Sequence, residues 1–246
     1  MVKLTENSGL SQHAAYAFGR LVAPNNVIQG LVFHRHRFGE EDSAALLEAL
    51  AQRAGASRLR LLILNGNTLG DRGAAALAAA SKAGTLDALE ELSLMHCQLG
   101  EEHGAALFEA LAQRAMASRL RKVYLTGNSL GGQGAGALAA AAKAGALEVL
   151  EELWMMDCKL GDEGGAALFE ALVFRSRASL RFVMLTNNEF GTRTAGAAAA
   201  ALQKGMLPAL GESWLTRNSF SESEKAQIQA GWDSCAPHPP GKGLKI

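Results

Sequence analysis

Cysteine, proline and net charge are all scarce in this chain. The three cysteines, Cys97, Cys158 and Cys235, form an odd and sparse set. That excludes the disulfide framework of a small secreted scaffold, and the thiols read as reduced. Lysine plus arginine number 24 and aspartate plus glutamate number 24, so the formal net charge is zero. A neutral balance gives no broad electrostatic footprint for nucleic acid or for a membrane surface, and no nucleic-acid partner is expected. No apolar run approaches the ~20 residues of a membrane span, so no membrane insertion is expected. The first residues carry no apolar core of signal-peptide type. No Asn-x-Ser/Thr acceptor occurs. An intracellular location, cytoplasmic by default, is the expectation. The hydrophobic fraction of 48% is inflated by alanine runs, which favour helix but carry little burial energy per residue.

What the chain has in abundance is one recurring frame, L-x-x-L-x-L-x-x-(N/C)-x-L-G. It appears as Leu59, Leu62, Leu64, Asn67, Leu69 and Gly70, then from Leu89, Leu120, Leu150 and Leu180. Weaker copies start at Ile28 and Leu210, and successive starts lie 30 or 31 residues apart. The L-x-L centre has period two, which predicts a short strand with one buried face. The residues that follow have helical spacing, as in Ala106, Leu107, Ala110 and Leu111. A strand-helix-strand unit of this length forces parallel strands. Strands stack ~4.8 Å apart and helices ~8–10 Å, so the array curves with strands inside and helices outside. The asparagine or cysteine at position nine is expected to turn inward and bond backbone groups of the loop leaving the strand. Long helices such as AALFEALAQRAMASRL alternate with alanine-rich ones such as AGALAAAAKAG, so the duplicated unit spans about two repeats. Pro24 and Pro208 fall between helix and strand.

The frame resembles the leucine-rich repeat family over roughly residues 10 to 232. The Gly-x-x-Gly-Ala-x-x-Leu segment after each frame and the alternation of Asn and Cys are similar to the ribonuclease-inhibitor-like subfamily. The resemblance implies an α/β leucine-rich repeat solenoid, a horseshoe with about seven parallel strands on the concave face and α-helices on the convex face. The expected organisation is an N-terminal capping helix in 1–27, repeats in 28–220, a C-terminal capping helix in 221–234 and a flexible tail in 235–246. Ser221 and Glu224 form a capping box that opens the last helix. Ile228 and Trp232 are expected to cover the end of the stack.

Several local patterns suggest chemistry that the repeat explains better. Gly134-x-Gly136-x-x-Ala139 superficially matches a dinucleotide fingerprint, but other copies carry the same glycines without a phosphate-loop pattern. His34-x-His36 is a candidate metal pair without a third ligand nearby. No catalytic set, cofactor or metal site is expected. Position two reads Arg60, Glu90, Arg121, Glu151 and Arg181, which predicts a ladder of opposite charges across neighbouring strands.

Position five points to the concave surface, where the frame requires nothing apolar. It reads Val32, Ile63, Ser93, Tyr124, Trp154, Met184 and Trp214. Leu61 and Phe182 at position three and Met95 and Met156 at position seven flank it. A contiguous exposed apolar stripe on a soluble protein marks an interaction site, and Trp, Tyr and Met suit one. Lys122, Glu152, Asp157, Asn187, Glu212 and Arg217 supply a polar rim. The expected protein-binding set is Ile63, Met95, Tyr124, Trp154, Met156, Phe182, Met184, Trp214 and Arg217. The chain is therefore expected to be a non-enzymatic scaffold for one or more protein partners. One alternative is a structural subunit of a large assembly, docked through its convex helices or tail. Another is a regulator of a small GTPase, because the repeat resembles that of the GTPase-activating proteins of nuclear transport.

Overall fold

The computed structural model describes the backbone course of residues 2–5, and residues 28–52, 58–113, 119–175, 179–203, 207–234 and 243–246. One parallel sheet runs through it in strict chain order. Its strands are β1 Val2–Thr5, β2 Gly30–His34, β3 Leu61–Ile63, β4 Glu91–Ser93, β5 Lys122–Tyr124, β6 Glu152–Trp154, β7 Phe182–Met184, β8 Glu212–Trp214 and β9 Leu244–Lys245. Helices α1 Glu40–Ala51, α2 Gly70–Lys82, α3 Glu101–Gln113, α4 Gly131–Ala144, α5 Gly161–Arg175, α6 Thr192–Gln203 and α7 Glu222–Asp233 follow β2 to β8 in turn. The fold is the α/β leucine-rich repeat solenoid that the frame implies.

Strands β2 to β8 are the seven frames, in register. Position four runs Leu31, Leu62, Leu92, Val123, Leu153, Val183, Ser213, each residue paired with the next. These side chains are buried and form one core with the inner helix faces, where Leu77, Phe108, Leu138, Phe169 and Leu202 meet them. Small residues let successive helices approach. A Cβ on Gly104 would lie 2.7 Å from Leu130, and one on Gly164 would lie 2.7 Å from Ala135. Gly134 faces the same α3–α4 contact, so the first glycine of the supposed dinucleotide fingerprint serves helix packing, whereas a Cβ on Gly136 would meet nothing within 4 Å.

Position nine does what its chemistry suggests. Asn128 accepts from the Cys97 and Leu99 amides at 3.1 Å and donates to the Leu94 carbonyl at 2.8 Å and the Leu125 carbonyl at 2.6 Å. Asn67, Asn188 and Asn218 repeat this bridge between consecutive loops. The Cys97 and Cys158 thiols sit 3.2 and 3.3 Å from the Leu64 and Leu125 carbonyls one repeat back. Burial pushes both thiols up to about 12, so they are inert, unpaired turn residues. His36 takes the same place in the first frame, buried with its ring 5.5 Å from that of Phe38. No group of potential metal ligands occurs among the described residues.

The two-repeat period has a capping role. The N-caps of α2 and α4, Leu69 and Leu130, have no side chain that bonds the first turn. An acid from the preceding helix reaches across instead. Glu40 accepts from the Arg72 amide at 2.7 Å, and Glu101 lies against Gly131 at the start of α4. Asp162 of α5 accepts from the Gly191 and Thr194 amides at 2.8 Å and from the Arg193 amide at 3.0 Å. Burial pushes this carboxyl up, but the three amides outweigh it and hold it below the ordinary aspartate range.

The ends differ from expectation. The capping helix expected within 1–27 lies, apart from residues 2–5, outside the described residues. Val2–Thr5 forms β1, which covers the outer edge of β2 over four residue pairs. At the other end the capping box and α7 are as expected, with Ser221 accepting from the Glu224 amide at 3.3 Å and Ile228 and Trp232 buried. The anticipated tail is described only from Gly243, where Leu244–Lys245 returns to the sheet as β9 against β8. Neither edge strand carries the frame, so periodicity gives no sign of them. The position-two ladder is also discontinuous. Arg60–Glu90 at 2.7 Å and Arg121–Glu151 pair between consecutive two-repeat units.

Two changes test this architecture. Asn128→Ala removes four hydrogen bonds to buried backbone groups and is expected to cost about 3 kcal/mol or more in urea unfolding. Asp162→Ala is expected to cost about 1 kcal/mol near neutral pH. Because the folded pKa of Asp162 lies below its unfolded value, its contribution is present above about pH 4 and is lost as pH falls through the folded value. The stability gap between wild type and Asp162→Ala should therefore close in acid, read from urea titrations at a series of pH values.

Candidate functional site

Within each strand the middle residue is buried and its neighbours face the concave side, giving two parallel rows there. Position three reads Leu61, Glu91, Lys122, Glu152, Phe182 and Glu212 from β3 to β8, and position five reads Ile63, Ser93, Tyr124, Trp154, Met184 and Trp214. The parallel register brings the candidate residues together as the sequence suggested.

The expected row of exposed apolar residues is instead a half-buried one. Val32 and Met184 are only 7% and 8% exposed, and Ser93 is 1% exposed. Ile63, Met95, Tyr124, Trp154, Met156, Phe182 and Trp214 are intermediate, and Arg217 is exposed. The cause is strand spacing. Neighbouring strands are ~4.8 Å apart, less than the width of an indole, so each large side chain laps over the next. The Trp154 ring meets Tyr124 edge-on at 4.8 Å between centroids and lies 6.4 Å from Phe182. Met184 is held between Trp154 and Trp214 in register. The result is a continuous aromatic surface from β5 to β8 with little loose apolar area.

A polar network runs through this surface. The Tyr124 hydroxyl donates to Glu152 Oε2 at 2.6 Å, and Lys122 Nζ lies 3.0 Å from Glu152 Oε1. Burial, reinforced by the Glu152 carboxylate, pushes the Tyr124 hydroxyl far up. The bond to Glu152 pushes Lys122 up. Burial pushes Glu91 up despite nearby Lys122. Next to this network the Trp154 Nε1–H is buried without a hydrogen-bond partner. Trp214 is different, because its Nε1–H donates to Glu212 Oε1 at 2.6 Å. Lys245 of β9 also sits over the Trp214 ring, 3.8 Å from its centroid.

Beyond the aromatic row a cleft of about 340 Å³ opens where the chain enters β2 to β5, lined by Leu61 and the charged side chains of Arg60, Glu90, Glu91, Arg121 and Lys122. Sequence reasoning treated Arg60, Glu90 and Arg121 as a register ladder and Lys122 as part of a rim, and missed the cleft. The adjacency of positions two and three across four strands was the available signal. At the other rim, Arg217 adopts φ 57, as do Arg35, His96, Asp157 and Asn187 at position eight of their frames with φ between 54 and 57. A left-handed residue repeated in successive loops belongs to the geometry of the turn, not to a local functional strain.

A family model described as Leucine Rich repeat matches residues 58–78 and 147–169. Each match spans one frame and the first part of the helix after it. No curated protein matches the chain.

The two indoles give a direct comparison. Trp214→Phe removes a made hydrogen bond, whereas Trp154→Phe removes a buried donor that had none. At similar loss of ring volume, Trp214→Phe is expected to destabilise by about 1 kcal/mol more than Trp154→Phe, read from paired thermal or urea unfolding.

Proposed function

We propose that this leucine-rich repeat protein is a non-enzymatic binding scaffold that receives a protein partner on its concave sheet, centred on Tyr124, Trp154 and Phe182. Repeats of this type are in general protein-interaction motifs, and an aromatic surface edged by Lys122, Glu152, Asp157 and Asn187 has the anatomy of an interface. The observation that carries the proposal is the Trp154 indole. A buried donor without a partner costs about 1–3 kcal/mol, and a phenylalanine would fill much of the same place without that cost. Folding alone gives no reason to keep it.

The neighbouring network supplies a mechanism. Glu152 is held by Lys122 and Tyr124, two strand positions from the indole it leaves unpaired. A partner acidic group that takes over Lys122, or an acceptor that takes the Tyr124 hydroxyl, frees the Glu152 carboxylate to accept from Trp154, as Glu212 does from Trp214. Binding then repairs a buried defect, so the partner favoured is one presenting an acidic or carbonyl group beside an apolar side chain.

Purified wild-type chain, Trp154→Ala, Tyr124→Phe and the convex control Lys143→Glu, each used as bait with quantitative mass spectrometry, test this. A true partner is expected to lose at least about 30-fold in affinity with Trp154→Ala, the equivalent of about 2 kcal/mol, and to be unaffected by Lys143→Glu. Retention of every partner by both Trp154→Ala and Tyr124→Phe would dispose of the concave-face proposal.

A further inference from the structure

The stack is already closed at its far end by α7, with Ile228 and Trp232 buried. The chain nevertheless returns to the sheet. The Ser213 amide donates to the Gly243 carbonyl at 3.2 Å and the Leu215 amide donates to the Lys245 carbonyl at 2.6 Å, so Gly243–Lys245 runs parallel along the open edge of β8. Leu244 lies opposite Ser213, the one polar residue at position four, and Leu244 and Ile246 pack partly buried against the core. Lys245 lies opposite Trp214, with Nζ 3.8 Å from the ring centroid. The Glu212 carboxylate, bound to the same indole, adds negative charge beside that cation. The segment is therefore recognised as an added strand is recognised: main-chain bonds hold it, and alternate side chains meet an apolar seat and an aromatic, acidic seat.

From this geometry we infer that the β8 edge with Trp214 is a docking site for an extended peptide of apolar–Lys/Arg–apolar sequence running parallel to β8, and that Gly243–Ile246 is its resident, exchangeable occupant. Exchange follows from the shortness of the ladder. It spans two residue pairs, against three for each pairing from β2 to β8 and four for β1 with β2. A partner segment that extends the pairing across Glu212 gains main-chain bonds that the resident does not make. While the resident is seated, Lys245 shields Trp214, whereas the Tyr124–Trp154–Phe182 cluster lies away from it. The site stands independently of any partner on that cluster.

The test uses the full chain and a fluorescent synthetic peptide carrying the sequence of residues 235–246, followed by anisotropy. The double variant Leu244→Asp, Lys245→Glu has its own occupant disabled and is expected to bind the peptide at least about tenfold more tightly than wild type, whose site is filled. Adding Trp214→Ala should abolish that binding. A peptide with glutamate in place of Lys245 should bind about fivefold more weakly, the range of an exposed cation–π contact. A double variant that melts like wild type yet does not take the peptide overturns the proposal and leaves β9 as an edge cover only. Amide exchange on the wild-type chain decides the matter even if the double variant does not fold. The Ser213 and Leu215 amides should exchange on the order of a hundredfold faster than that of Leu185, which pairs inside the sheet with Trp214, and equal protection overturns exchangeability. Self-association of the wild-type chain that the double variant loses would assign the site to a second copy and overturn the partner-peptide form of the proposal.

Discussion

The loop leaving each strand turns back towards the helix layer with its amides and carbonyls pointed into the core, and burial makes each of them costly unless paired. The position-nine side chain meets that constraint. An asparagine has two donor hydrogens and an acceptor oxygen, enough to bond its own loop and the previous one together. A cysteine offers a single weak donor, shared between the carbonyl behind it and one of its own loop, and no strong acceptor for the amides. The two types alternate from Asn67 to Cys158, and each asparagine there bonds the amide of the residue or its neighbour in the frame before it. The stronger member thus secures the weaker one. The strands hold their register, and every concave side chain holds its neighbour, because these loops cannot slip.

Helices impose the opposite demand. They pack further apart than strands, and the difference is reduced where Gly104 and Gly164 allow close approach. The same closeness puts an acidic side chain from one helix within reach of the next helix's first turn, where free amides favour negative charge. Capping of α2, α4 and α6 therefore passes between repeats, and the two-repeat period seen in composition becomes a mechanical unit. Arg60–Glu90 and Arg121–Glu151 join the end of one such unit to the start of the next.

The frame made the strands, their parallel order, the buried positions and the inward turn of Asn and Cys legible from sequence, since each depends only on a residue and its period. Three things were not legible, for distinct reasons. β1 and β9 are stabilised by pairing to an existing edge, and a four-residue or two-residue strand has no periodicity of its own. The burial of Met184 depends on the width of Trp154 and Trp214 relative to strand spacing, a property of neighbours and not of the methionine. The cleft beside Lys122 arises where positions two and three of four strands meet, so no single stretch of sequence contains it.

The same neighbour dependence explains why two copies of one pattern behave differently. Glu152-Leu153-Trp154 and Glu212-Ser213-Trp214 place a carboxylate and an indole on the same face two residues apart. In the later copy the preceding strand offers Phe182 and Met184, neither of which has a proton to give, so Glu212 turns to its own tryptophan. In the earlier copy the preceding strand offers Lys122 and Tyr124, a cation and a hydroxyl, and both take hold of Glu152. A charged and a neutral donor from the preceding strand outcompete the indole on the same strand, and the Trp154 donor is left over. Nothing in the repeat itself requires that outcome. It follows from which residues the solenoid sets side by side, and any partner that alters the hold of Lys122 or Tyr124 on Glu152 acts directly on the buried indole beside it.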